Sequence, residues 1–180
     1  DMTTSATPAE TRTVFKSFRT IATGIKHGTI TVIIGSEPVE ITTMRVDGKY
    51  SDNRHPENVS FTKKIEDDLS RRDFTVNAMA YNPKTGIIDP FGGQNDIKSK
   101  TIRCVGNPDK RFNEDALRIL RAIRFSSVLG FDIDKKTSQS IINNRSLLQN
   151  ISKERIRVEL IKMLCGQNIE RILTDYKSVL

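Results

Sequence analysis

The chain has 180 residues, with 29 lysines and arginines against 22 acidic side chains, a formal charge of +7 and 36% hydrophobic residues. That size and balance fit one globular domain with an appendage, and no apolar run approaches the ~20 residues a membrane-spanning helix needs. The two cysteines, Cys104 and Cys165, match no disulfide or zinc spacing, which argues against secreted and zinc-finger classes and for a reducing, cytoplasmic setting.

In chain order, residues 29–34 and 39–44 are rich in β-branched side chains and flank the turn cluster Gly35-Ser36-Glu37-Pro38, so a hairpin is predicted. The stretch 47–57 is too polar to bury and too long for a tight turn, and reads as a loop. A short helix over 65–71, a helical turn near 74–79 and a segment 81–89 turning at Pro83-Lys84-Thr85-Gly86 follow. From Pro108 onward the period is helical. Leu117, Leu120 and Ile123 recur at three-residue spacing, Asn113 is the expected cap and Gly130 the expected stop. Further helices are predicted over 135–144, 152–164 and 169–179, and there is no internal repeat. Residues 106–180 hold 14 basic and 9 acidic side chains, so most of the excess charge sits in the helical part and suggests a polyanionic partner.

Three groups of residues carry chemistry. In Ser70-Arg71-Arg72-Asp73-Phe74-Thr75-Val76-Asn77, guanidinium forks suit phosphate oxygens, while Asp73 and Asn77 suit a ribose hydroxyl. The plainer alternative is an Asp73 that only caps a helix beside solvated arginines. In the run 114–124, Asp115, Arg118, Arg121 and Arg124 step by three along one expected helical surface. Either they form an ordinary ion-paired face or they read a base. Cytosine and adenine both present an amino donor beside an unprotonated ring nitrogen, whereas guanine and uracil present a carbonyl beside an N–H. One carboxylate acceptor with one guanidinium donor therefore accepts C and A and refuses G and U. The third group is Asp1 and Glu40, carboxylates on or beside strands. Glu40 can equally be the solvent face of an antiparallel strand.

Segments 1–8, 23–29, 47–57, 71–78, 88–93 and 111–124 together resemble the class II tRNA nucleotidyltransferases, the CCA-adding enzymes, and the bacterial poly(A) polymerases. The resemblance implies an α+β, polymerase-β-like head over 1–105, a small mixed or antiparallel sheet flanked by helices whose N-terminal start is missing. An all-α neck and the start of a body follow over 106–180. It implies addition of C, C and A to the tRNA 3′ end from CTP and ATP with Mg2+, without a nucleic-acid template. By matching position, Arg72 resembles the nucleotide-binding arginine, and Asp73 and Asn77 the ribose-side residues. Asp115 and Arg118 resemble the base-reading pair, and Arg121 and Arg124 further nucleotide-binding arginines. Asp1 is similar to the second carboxylate of a D-x-D metal pair and Glu40 to the third carboxylate. His55 stands where the family loop has a second arginine, and His27 is expected to be structural. Because the chain starts at Asp1 and stops inside a helical pattern, it reads as a piece of a longer protein that is inactive alone. A CC- or A-adding specialist, a poly(A) polymerase and a non-catalytic nucleotide- or RNA-binding remnant are the alternatives.

Overall fold

The β-branched run at 29–34 forms the strand expected of it, with Ile30 and Val32 buried on one face and Thr29 and Thr31 on the other. The structure, a computed structural model, describes residues 2–22, 24–50 and 56–180, so the expectations for Asp1 and His55 lie outside the described residues. The chain packs as two units, residues 1–48 with 57–71, and residues 49–56 with 72–180.

In the first unit, β1 (Met2–Thr4), β2 (Arg19–Ile21), β3 (Thr29–Ile34) and β4 (Glu37–Thr43) form a sheet in the order β1-β4-β3-β2. β1 runs parallel to β4, and the other pairs are antiparallel. Helix α1 (Pro8–Val14) starts in a capping box: Glu10 N–H donates to the Thr7 hydroxyl, and Thr7 N–H donates to the Glu10 carboxylate at 2.7 Å. Phe15, just after that helix, and Val39 pack on the buried Ile30, Val32 and Ile41. β5 (Arg45–Asp47) pairs antiparallel with β6 (Val59–Phe61), and α2 (Ile65–Ser70) follows. The Asp68 carboxylate at the end of α2 accepts from Arg45 N–H at 3.2 Å and Arg71 Nη2 at 2.8 Å, tying helix to strand.

The second unit holds a 3-10 turn (Thr75–Asn77), the hairpin β7 (Ala80–Asn82) with β8 (Gly86–Ile88), α3 (Gly93–Lys98), β9 (Thr101–Ile102), α4 (Pro108–Glu114), α5 (Leu117–Leu129), β10 (Asp132–Ile133), α6 (Lys135–Asn143), α7 (Lys153–Leu164) and α8 (Ile169–Asp175). β9 and β10 pair in parallel. Its core joins Phe74, Ile102 and Cys104 to Phe112, Ile119 and Ile123 from the helices. This shared core makes the packing divide the chain after Arg71, whereas the expected head–neck boundary falls at 105/106.

Two local details differ from expectation. Asn113 is not the cap of α5, whose N-cap is Ala116; it lies inside α4 and donates to the Asp109 carbonyl, while Asn107 caps α4 by accepting from Lys110 N–H at 3.1 Å. The helix expected to begin after Asn113 begins instead at Leu117, and Asp115 before it is extended, between α4 and α5. Gly130 does end α5, with φ 70° in the left-handed region.

Asp89 starts α3, accepting from Gly93 N–H at 2.7 Å and Gln94 N–H at 2.9 Å. Burial pushes its pKa up, but the N–H groups of Gln94, Gly93 and Gly92 and the Gln94 amide outweigh that, so it lies below the ordinary carboxylate value. A depressed folded pKa contributes stability above the unfolded value that is lost as pH falls through the folded one. Asp89→Asn should therefore lower Tm at neutral pH, and the gap to wild type should close on acidification in a Tm-against-pH series. Nearby, a Cβ on Gly93 would stand 2.3 Å from the Thr75 carbonyl oxygen and 2.9 Å from Met79 Sδ. Gly93→Ala should cost about 1–3 kcal/mol in urea denaturation, the range for forced overpacking.

Candidate functional site

The Arg72–Asn77 segment is held from below. Thr75 N–H donates to the Arg103 carbonyl at 2.9 Å, and the Thr75 hydroxyl donates to buried Asp96 at 2.6 Å. Arg103 places its fork on the same Asp96 carboxylate and reaches Asp134 at 2.9 Å. On this support Arg72 Nη1 donates to the Asn77 carbonyl at 3.2 Å. Asp73 is not the side-chain cap of the 3-10 turn, whose N-cap is Phe74. One Asp73 oxygen accepts from Phe74 N–H at 2.9 Å, and the other accepts from Nε of Arg121 at 2.7 Å and lies 2.7 Å from its Nη2. Asp73 and Arg121 are thus brought together, and Arg72 is tied to the backbone of Asn77.

One turn further along α5, Arg124 Nε donates to Glu159 Oε2, and its guanidinium lies over the Phe125 ring, 4.0 Å from the centroid. Glu159 comes from α7, is only 5% exposed, and also faces Arg121 at 4.0 Å. A carboxylate so buried is stable only beside cations, and here it has two.

Asp115 is at the break between α4 and α5, with φ −142° and ψ 104°, not on the helical surface expected for it. Its Oδ1 accepts from Leu117 N–H at 3.1 Å, which gives the first turn of α5 an acceptor for an orphan donor and explains the break. Arg155 Nη2, from α7, lies 3.3 Å from Oδ1 and 3.1 Å from Oδ2. Arg118 donates to Glu114 Oε2 at 2.8 Å and to the Arg111 carbonyl at 3.3 Å. The other Glu114 oxygen accepts from Arg111 at 2.7 Å. Burial lowers the Arg111 pKa, Glu114 opposes that, and Arg118 adds to it. Arg118 N–H donates to the Asp115 carbonyl at 3.0 Å, but the side chains of Asp115 and Arg118 turn to other partners. Each is held by a third group.

Glu40 is exposed on β4, opposite Thr31, on the face where the Thr29 and Thr42 hydroxyls bond each other at 2.9 Å. Among the described residues no three His, Cys, Asp or Glu side chains stand together as a metal would require, so these residues alone do not fit one. His27 closes a 3-10 turn, and its backbone carbonyl accepts from Arg45 Nη1. Cys104 is buried and its thiol is pushed up to about 12 by that burial, which removes it as a nucleophile, while Cys165 is exposed. Arg155 and Glu159 did not emerge from the sequence. The available signal was Glu159 standing four residues before buried Met163, on the line of α7 that faces the core.

The profile of the family described as "Poly A polymerase head domain" matches residues 1–103, and that of "Probable RNA and SrmB- binding site of polymerase A" matches residues 130–177. The chain belongs to the class II tRNA nucleotidyltransferase and poly(A) polymerase family. A CCA-adding enzyme of Lactobacillus helveticus is 50% identical over 166 residues, covering 92% of this chain and 41% of that protein. The Bacillus stearothermophilus CCA-adding enzyme in complex with CTP superposes with TM-score 0.86 at 42% identity, over 98% of this chain and 42% of that one. The Thermotoga maritima CCA-adding enzyme complexed with tRNA gives TM-score 0.75 at 28% identity, over 95% and 39%. The α+β fold expected from the sequence is that of these head-and-neck structures. The chain spans less than half the length of the curated relatives it matches. No described helix of this family member is long and apolar enough to cross a membrane.

Removing the Glu159 carboxylate strands Arg124, whose side chain is 13% exposed. Glu159→Ala should cost about 3 kcal/mol in urea denaturation, as for other broken buried pairs, and Glu159→Gln less, because one acceptor remains.

Proposed function

We propose that the full-length protein is a tRNA nucleotidyltransferase that adds CCA to tRNA 3′ ends from CTP and ATP, without a nucleic-acid template. The observation that carries this reading is the acceptor Asp115 and the donor Arg118, each held by a different group at the α4–α5 break. Membership of the family and relatives named CCA-adding enzymes support it. The tRNA 3′ hydroxyl oxygen bonds to the α-phosphorus of the incoming nucleotide, the bond from that phosphorus to the bridging oxygen breaks, and pyrophosphate leaves.

On this reading Asp115 accepts from the amino group of C or A and Arg118 donates to the adjacent ring nitrogen. A wrong base would leave these groups unpaired in a partly buried place, which is how polar sites reach large discrimination. Arg72, Arg121 and Arg124 supply positive charge for the triphosphate, and Asp73 and Asn77 border the ribose. The mutual pairing of Asp73 and Arg121 sets both side chains before any ligand arrives. The functional division remains a head over 1–105 and a neck over 106–180. The family implies a divalent metal, and Mg2+ is the ion of this reading with Asp1 and Glu40 as carboxylates. The described residues do not by themselves assemble a metal-binding set. A cytoplasmic setting accords with the two free thiols.

The test is incubation of the full-length protein with CTP, ATP and a tRNA ending at its discriminator base. A +3 product is expected. A +2 product or addition of A alone marks a specialist, a long ladder marks a poly(A) polymerase, and no product marks a nucleotide- or RNA-binding remnant. In the same assay Arg118→Ala should lower CTP and ATP use together, by about 100-fold in kcat/KM, the scale of a lost bidentate or charged contact. Loss confined to one nucleotide contradicts a shared reading device.

A further inference from the structure

We propose that Arg155, on α7 and outside the Glu114-to-Arg124 run, is a specificity-determining positioning residue that holds the Asp115 carboxylate as the acceptor half of the base reader. The inference rests on the reading of Asp115 and Arg118 just given, and says what keeps the two halves apart. An aspartate three residues before an arginine ordinarily closes into an ion pair. Once closed, neither group is offered to a base. Here Arg118 is engaged by Glu114 and the Arg111 carbonyl, and Asp115 is engaged by Leu117 N–H and Arg155 Nη2.

The hydrogen-bond inventory of Asp115 shows what is left. A carboxylate offers about four lone-pair positions. Oδ1 accepts from Leu117 N–H and from Arg155, whereas Oδ2 accepts from Arg155 alone, so Oδ2 retains capacity for an amino donor. The side chains of Asp115 and Arg155 are 19% and 23% exposed, which leaves an approach for a ligand. Stability alone does not account for this arginine. Its Nη1 is buried without a hydrogen-bond partner among the described residues, a defect that an apolar side chain of similar volume would not carry. Arg155 therefore spends a buried donor on keeping Asp115 turned away from Arg118.

The experiment is steady-state addition by the full-length protein with CTP, ATP and UTP, for Arg155→Met, Arg155→Lys and Asp115→Asn and for the double variants. Arg155→Met should raise KM for CTP and ATP about 10-fold with kcat changed less than about 2-fold, and should lower discrimination against UTP about 10-fold. Arg155→Lys should recover most of the KM. In the Asp115→Asn background the Arg155→Met change should add little, because the two act as one unit. Equal losses in both backgrounds, or unchanged KM and UTP discrimination in a folded variant, overturn the proposal. If thermal melts show that Arg155→Met does not fold, Arg155→Lys against Arg155→Gln in the same cycle decides. Wild-type addition with an indifferent Arg155 overturns this proposal alone, whereas a wild type that adds nothing overturns the underlying reading and this proposal with it.

Discussion

Each guanidinium along α5 is met, in a largely buried setting, by a carboxylate from outside that helix. Arg118 is met by Glu114, Arg121 by Asp73, and Arg124 by Glu159. Removing an ion from water costs several kcal/mol even after relaxation, and mutual attraction offsets that only with good geometry. Such pairs are weak evidence for stability. Their consequence is positional: a guanidinium with a fixed partner has its remaining N–H vectors fixed too.

The same constraint sets how α7 lies on α5. The contacts Asp115 to Arg155, Arg124 to Glu159 and Ser127 to Met163 advance together along both helices, so the two run in the same direction. The far end admits no adjustment. Ser127 Oγ donates to the Met163 carbonyl at 2.8 Å, and a Cβ on Gly166 would stand 2.3 Å from that Oγ. A helix rises about 1.5 Å per residue, so a slip of a single residue would separate Arg155 from Asp115 and Glu159 from Arg124. Close backbone packing at one end therefore registers ion pairs at the other.

Local features of the fold were legible in the sequence. The hairpin over β3 and β4, helices α6 and α7 and the stop at Gly130 follow from period, β-branching and turn residues within a few positions. Strands β5, β6, β9 and β10 span two or three residues each, too short to carry a period. The break at Asp115 was hidden because a three-residue step fits a continuous helix equally well. Deciding between them requires knowing that this carboxylate serves Leu117 N–H. For the candidate site, the motif residues were named from sequence but not their partners. Arg155 lies 40 residues from Asp115 and Glu159 lies 35 from Arg124, and such pairings exist only once helices pack. The association of Asp73 with Arg121, 48 residues apart, is of the same kind.

Two adjacent carboxylates, Glu114 and Asp115, lie at the α4–α5 break, and their surroundings assign them different work. Glu114 has one oxygen on Arg111 and the other on Arg118, so two cations share a single anion and both oxygens are engaged. Asp115 has one oxygen shared by Leu117 N–H and Arg155 and the other touched by the same Arg155 nitrogen. On the reading proposed here the two acids divide the work: Glu114 fixes the donor Arg118, and Asp115, held by Leu117 N–H and Arg155, is the acceptor. Exchanging the two would place the longer, more flexible acid where a fixed acceptor is needed, and its one extra rotatable bond would blur the choice between an amino group and a carbonyl.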